Sequence, residues 1–179
     1  DLSDNQLTTR SLSSVAEWLS HPTCSLVRLS LRDNNLKSKR IGLYDTLEDH
    51  RKIMVSESYL THIQLEISVA NLFKALGVNT KLELLDLSFN DLILSGVSEE
   101  IWLDLAQNNS LKYLLFKDNT LIQDDHSSLQ FHRFVSSMPR NLLALGLSQT
   151  QISTSQLIAL IQVLSKSNSS LRHLDVSDN

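Results

Sequence analysis

The densest group of chemistry-bearing side chains in this sequence is DDHSSLQFH, Asp124 to His132, which brings two carboxylates and two imidazoles into one short stretch. Imidazole nitrogens and carboxylate oxygens are common ligands of zinc and related cations, so such a group could hold a metal. Its spacing argues otherwise. A helix-borne zinc site places two histidines one turn apart beside a carboxylate, as in HExxH, whereas His21, His50, His62, His126, His132 and His173 are scattered along the chain. Acids at the start of a surface helix account for Asp124 and Asp125, because they complement its positive end. Cys24 follows Pro22 and Thr23 with no neighbouring base to activate it as a nucleophile. There is no glycine-rich phosphate loop. The sequence thus offers no catalytic residue, no metal ligand set and no cofactor site, and it does not read as an enzyme. The triplets NNS at Asn108 and NSS at Asn168 match the glycosylation acceptor, a weak signal in a chain rich in Asn and Ser.

The elements that must position the remaining residues are constrained by composition. The chain has 179 residues, 41% of them hydrophobic, but only 4 Gly and 2 Pro. That is enough apolar content for a core and too little Gly and Pro for ordinary turns to reverse the chain throughout. The net charge is −4, from 16 basic and 20 acidic residues, so no overall positive field is available for a phosphate backbone and nucleic acid is not expected as a partner. A single cysteine excludes an internal disulfide framework and suits a reducing, cytoplasmic compartment. No stretch approaches the roughly 18 apolar residues of a membrane span.

Internal repetition supplies the organisation. The phrase Leu, two variable, Leu, one variable, Leu or Val, two variable, Asn closes the chain as LRHLDVSDN, Leu171 to Asn179. It also appears as LVRLSLRDN from Leu26, LELLDLSFN from Leu82 and LKYLLFKDN from Leu111, and, ending on Thr150, as LLALGLSQT from Leu142. The opening DLSDN is the tail of another copy. A degenerate copy, HRKIMVSES from His50 to Ser58, is expected in the long interval before Asn90. The closing positions are then Asn5, Asn34, Ser58, Asn90, Asn119, Thr150 and Asn179, six steps with a mean of 29 residues. Alternating apolar residues such as Leu29 and Leu31 predict a short strand in each copy, and the following Asn predicts a buried amide bonded to the backbone of adjacent copies. Between strands, helical spacing recurs. It is carried by Leu12, Val15 and Leu19; by Val69, Leu72, Phe73 and Leu76; by Val97, Ile101 and Leu105; and by Leu157, Leu160, Ile161 and Leu164. Ser153 and Gln156 form a capping box for the last of these, and Ile41 to Asp49 is expected to supply the helix of the short step.

These phrases resemble the leucine-rich repeat family over essentially the whole chain, and repeats near 29 residues with true helices resemble its ribonuclease-inhibitor-like class. The resemblance implies an α/β fold: a right-handed α/β solenoid of about six repeats, with a concave parallel sheet and convex helices. It implies one domain over residues 1–179. Because the chain opens and closes on unshielded strands, a fragment of a longer repeat protein is expected, its terminal repeats covered by further repeats or caps.

In such a scaffold function rests on side chains that the fold does not need. The outward positions of the predicted strands nominate Arg28, Arg32, Arg51 and Lys52 as a basic patch, and Leu84, Phe89, Tyr113, Leu115 and Leu143 as an apolar strip beside it. Asp86, Lys117 and His173 complete the partner-binding set. Arginine beside aromatic groups is a frequent composition of protein interfaces. Asp4, Asp33, Glu57, Phe89, Asp118, Gln149 and Asp178 form a rail just before the closing positions, which is expected to reflect turn geometry and not a cation site. The resemblance implies a non-catalytic scaffold that binds a protein partner, such as an intracellular regulator or a bacterial effector acting in a host cytosol. A structural spacer packed by its convex helices and a targeting module of a larger enzyme are the alternatives. Exposure of Trp18 and Trp102 would favour the spacer.

Overall fold

The computed structural model describes residues 1–36, 57–92, 94, 99–121, 128–166 and 170–179. Helices and strands alternate: α1 (Thr9–Ser20), β1 (Arg28–Ser30), α2 (Glu57–Val78), β2 (Leu84–Asp86), α3 (Glu99–Ala106), β3 (Tyr113–Leu115), α4 (Ser128–Ser136), β4 (Ala144–Gly146), α5 (Thr154–Lys166) and β5 (His173–Asp175). The strands form one parallel sheet in sequence order. Every crossover between paired strands contains a helix, as parallel pairing requires.

Each strand is short because only its central phrase alternates. Leu29, Leu85, Leu114 and Leu145 point inward and are buried, as are Leu31, Leu87, Phe116 and Leu147 two residues further on. They share one core with the apolar stripes of the helices. Leu12, Val15 and Leu19 of α1 and Val69, Leu72, Phe73 and Leu76 of α2 are buried as their spacing predicts. In α3 the core is reached by Leu105 and by Trp102, whose ring lies 5.3 Å from Phe73 and 5.2 Å from Phe134 between centroids. Phe134 also meets Phe116 and Phe131, so an aromatic chain runs from α2 to α4. The predicted box opens α5: the Gln156 side chain accepts the Ser153 N–H at 2.9 Å and the Ser153 hydroxyl accepts the Gln156 N–H at 3.3 Å. On that helix Ile161 is exposed, because no further helix packs outside α5 among the described residues.

One part of the predicted spacing is overturned. Ser58 is not a closing position, and neither it nor Glu57 belongs to a strand end; both lie in the first turn of α2. β1 pairs directly with β2, Arg28 opposite Leu84 and Ser30 opposite Asp86, which leaves no place for a strand between them. The degenerate phrase rests on Ile53, Val55 and Leu60; Leu60 lies in α2, while Ile53 and Val55 lie outside the described residues together with the expected helix Ile41 to Asp49. Before β1, Leu2 and Asp4 donate their N–H groups to the carbonyls of Ser30 and Arg32, so the opening phrase does continue the strand layer.

Candidate binding face

The asparagines after the strands fix the geometry of the sheet's open face. Asn90 and Asn119 are buried. The Asn119 amide nitrogen donates to the carbonyls of Leu87, Phe116 and Lys117, while its oxygen accepts the N–H groups of Asn90 and Leu92. Asn90 and Asn34 repeat the pattern. Each amide clamps its own turn to a neighbouring one, which is the cheapest way to bury turn backbone without leaving donors unpaired. Thr150 keeps one such bond, from its hydroxyl to the Leu147 carbonyl.

A second ladder at the opposite ends of the strands escaped the sequence reading. Asn79 donates to the Leu19 carbonyl and accepts the N–H groups of Lys81 and Leu82. Asn108 donates to the carbonyls of Leu76 and Asn79 and accepts from Ser110 and Leu111. Its signal was present: both stand three residues before the first leucine of a strand phrase. Asn108 is 1% exposed with its amide nitrogen committed, so its NNS triplet is not an accessible glycan acceptor in the folded chain. Asn168 lies outside the described residues.

With register so fixed, the outward side chains fall into rows. Arg28, Leu84, Tyr113, Ala144 and His173 stand opposite one another across the five strands. Ser30, Asp86, Leu115, Gly146 and Asp175 form the next row. On one side of these rows, backbone bonds align Val27, Glu83, Lys112, Leu143 and Arg172; on the other, hydrogen bonds from the residues that follow align Arg32, Ser88, Lys117, Ser148 and Ser177. Lys112 and Glu83 neutralise each other through a 2.6 Å ion pair. Gly146 has its place because a methyl group there would stand 3.0 Å from Leu115 Cδ2, and Leu115 leans over it. The predicted apolar strip is therefore partly folded down: Leu84, Leu115 and Leu143 are half-buried, and Tyr113 is its exposed member.

The basic patch is rebuilt. Arg51 and Lys52 lie outside the described residues, and β2 occupies the place beside β1 that their strand was expected to take. Arg32 instead stacks on Phe89, with its guanidinium carbon 4.3 Å from the ring centroid, and Lys117 approaches the same ring at 5.6 Å. Three predicted site residues from three successive turns thus meet. The outward positions carry Arg28, Arg32, Lys112, Lys117 and Arg172 against Glu83, Asp86 and Asp175, a positive excess in a chain of net charge −4.

The rail is a backbone feature. Asp4, Asp33, Phe89, Asp118, Gln149 and Asp178 all adopt left-handed backbone, with φ between 53° and 59°. Short polar side chains tolerate this conformation, which is why Asp recurs there, whereas for Phe89 it costs on the order of 1 kcal/mol. At the far end, the Ser177 hydroxyl and N–H both donate to Asp175 and hold its carboxyl below the ordinary value; slight burial opposes them, and Lys117 adds to the lowering. Among the described residues the buried Ser148 hydroxyl makes no hydrogen bond of proper geometry, but it stands close enough to Asp175 to favour its charged form.

Among the described residues no group of three or more His, Cys, Asp or Glu side chains could hold a metal ion. His132 is exposed, 3.3 Å from the Ser136 hydroxyl, and Asp124, Asp125 and His126 lie outside the described residues. Cys24 is buried. Among the described residues no helix is long and apolar enough to cross a membrane.

A family model for the leucine-rich repeat matches residues 78–98 and 167–179, the stretches that contain β2 and β5. The match supports a leucine-rich repeat protein. No curated protein matches the chain at a significant level.

Proposed function

We propose that this leucine-rich repeat protein binds a protein partner on the open face of its sheet, without catalysis. Leucine-rich repeats generally mediate protein–protein interaction, and the family is typically non-catalytic. The observation that carries the reading is the stack of Arg32 and Lys117 on Phe89, beside exposed Tyr113. None of these side chains serves the core, and arginine with aromatic groups is the usual composition of an interface hot spot. The residues proposed to touch the partner are Arg28, Arg32, Leu84, Asp86, Phe89, Tyr113, Leu115, Lys117, Leu143 and His173, with Arg51 and Lys52 kept from the sequence. True helices between successive strands favour a ribonuclease-inhibitor-like solenoid forming one domain. A cytoplasmic setting, including a host cytosol, accords with the single buried cysteine and with the inaccessible Asn108.

The test is affinity capture with the wild-type chain and with an Arg32→Asp, Tyr113→Ala double variant, circular dichroism verifying that both fold. Loss of a captured protein with the double variant is the expected result; unchanged capture sinks the reading. A structural spacer docked by its helices is the competing reading. It is favoured by Trp18, 49% exposed on α1, but Trp102 gives it nothing, being 1% exposed. Trp18→Ala would abolish capture under the spacer reading and leave it intact under ours.

A further inference from the structure

We infer that the partner presents an extended acidic segment, whose carboxylates are taken by the cations spread across the open face with Arg32, Phe89 and Lys117 as the anchor. The inference rests on the proposed protein-binding face and names the chemistry of what occupies it. Two positive groups share one aromatic ring, Arg32 at 4.3 Å and Lys117 at 5.6 Å from its centroid. The ring attracts each of them, but they repel each other. Among the described residues neither side chain makes an ion pair or a hydrogen bond, so the guanidinium fork and the ammonium keep their donors for an outside acceptor. A carboxylate reaching either group would gain charge-assisted hydrogen bonds, while an adjoining apolar side chain of the same segment would cover the Phe89 ring.

Two further observations fix the kind of acceptor. Beyond the Arg32 and Lys117 pair on Phe89, the cations do not converge on one point, as they would for an isolated phosphate: Arg28 belongs to the β1 phrase and Arg172 precedes β5. Acceptors must therefore recur along a chain lying across the strands. Among the described residues Phe89 is also the only aromatic one at a left-handed position, the others being Asp or Gln. A bulky side chain kept where the backbone resists it is the pattern of a residue retained for contact. The neighbouring Asp33 and Asp118 would repel an acidic segment beyond the strand ends, which confines it to the face itself.

Fluorescence polarisation with a labelled hexapeptide of alternating glutamate and leucine tests this, with glutamine and lysine versions as controls. The glutamate peptide should bind about tenfold or more tightly than the glutamine one, should weaken as salt rises, and should be lost in Arg32→Glu and in Lys117→Glu. Phe89→Asn should weaken binding while the melting temperature holds or rises, a combination that loss of folding cannot produce. Equal affinity for the glutamine peptide, or binding unchanged in both charge-reversed variants, overturns the inference. Preference for the lysine peptide does the same. If none of the peptides binds while protein capture still depends on Arg32 and Tyr113, the face binds protein through other chemistry, and this inference alone fails.

Discussion

The backbone N–H of Asn34 donates to the side-chain oxygen of Asn90 at 3.1 Å, across 56 residues of sequence, in the same way that the N–H of Asn90 donates to Asn119 at 3.2 Å across 29. The long interval therefore behaves as a single step of the ladder. Parallel pairing tolerates this, because the cost of closing a longer loop grows only slowly with its length.

The ladder amides should rank among the costliest side chains to truncate. Asn90→Ala removes three donated bonds to carbonyls and strands the Asn34 N–H, so a loss of about 3 kcal/mol is expected in urea denaturation. A loss comparable to that of an exposed surface asparagine would show that the ladder does not clamp the turns.

Thr150 is the place where the ladder can be improved. Its hydroxyl reaches the Leu147 carbonyl, whereas Asn119 in the equivalent place reaches three carbonyls. Thr150→Asn should raise stability by about 1 kcal/mol, measured as a higher urea midpoint with unchanged slope.

Trp102 is buried within the aromatic chain, and its indole N–H has no partner among the described residues. Trp102→Phe keeps ring packing and removes a stranded donor, so it should cost less than about 1.5 kcal/mol, against roughly 3–5 kcal/mol for Trp102→Ala. Equal costs would mean that the N–H finds a partner in solution.

Gly77 lies near the end of α2, where alanine ordinarily helps a helix by about 1 kcal/mol. Here an added methyl group would stand 2.7 Å from the Asp104 carbonyl oxygen of α3. Gly77→Ala should therefore destabilise by about 1–3 kcal/mol, with the sign reversed by packing.

Asp175 titrates below an ordinary aspartate because Ser177 donates to its charged form. A carboxyl depressed in the folded state adds stability that is present above its unfolded pKa and lost as pH falls through the folded one. Ser177→Ala should move the Asp175 titration, followed by carboxyl carbon NMR shifts, up toward the ordinary value and remove this part of the acid limb. An unmoved titration would mean that the hydrogen bond is not kept in solution.

By itself the sequence determined what is encoded within a few residues: inward leucines at alternate positions, the asparagine three places after the last of them, the Ser153–Gln156 box, and which side chains must face away from the core. These follow from strand and helix periods and from the bonding capacity of an amide, all of which act locally. Only the tertiary structure decided which strand lies beside which. Every strand carries the same phrase, so the pattern sets how any two would align and says nothing of whether they are neighbours. β1 pairs with β2, so the strand expected around Ile53 and Val55 does not stand between them, and the place beside Arg28 expected for Arg51 and Lys52 belongs to Leu84. The same adjacency brought Phe89 to Arg32 and Lys117, put Leu115 over Gly146 and built the Asn79 and Asn108 ladder, because these contacts depend on residues from different turns that only pairing of the sheet brings together.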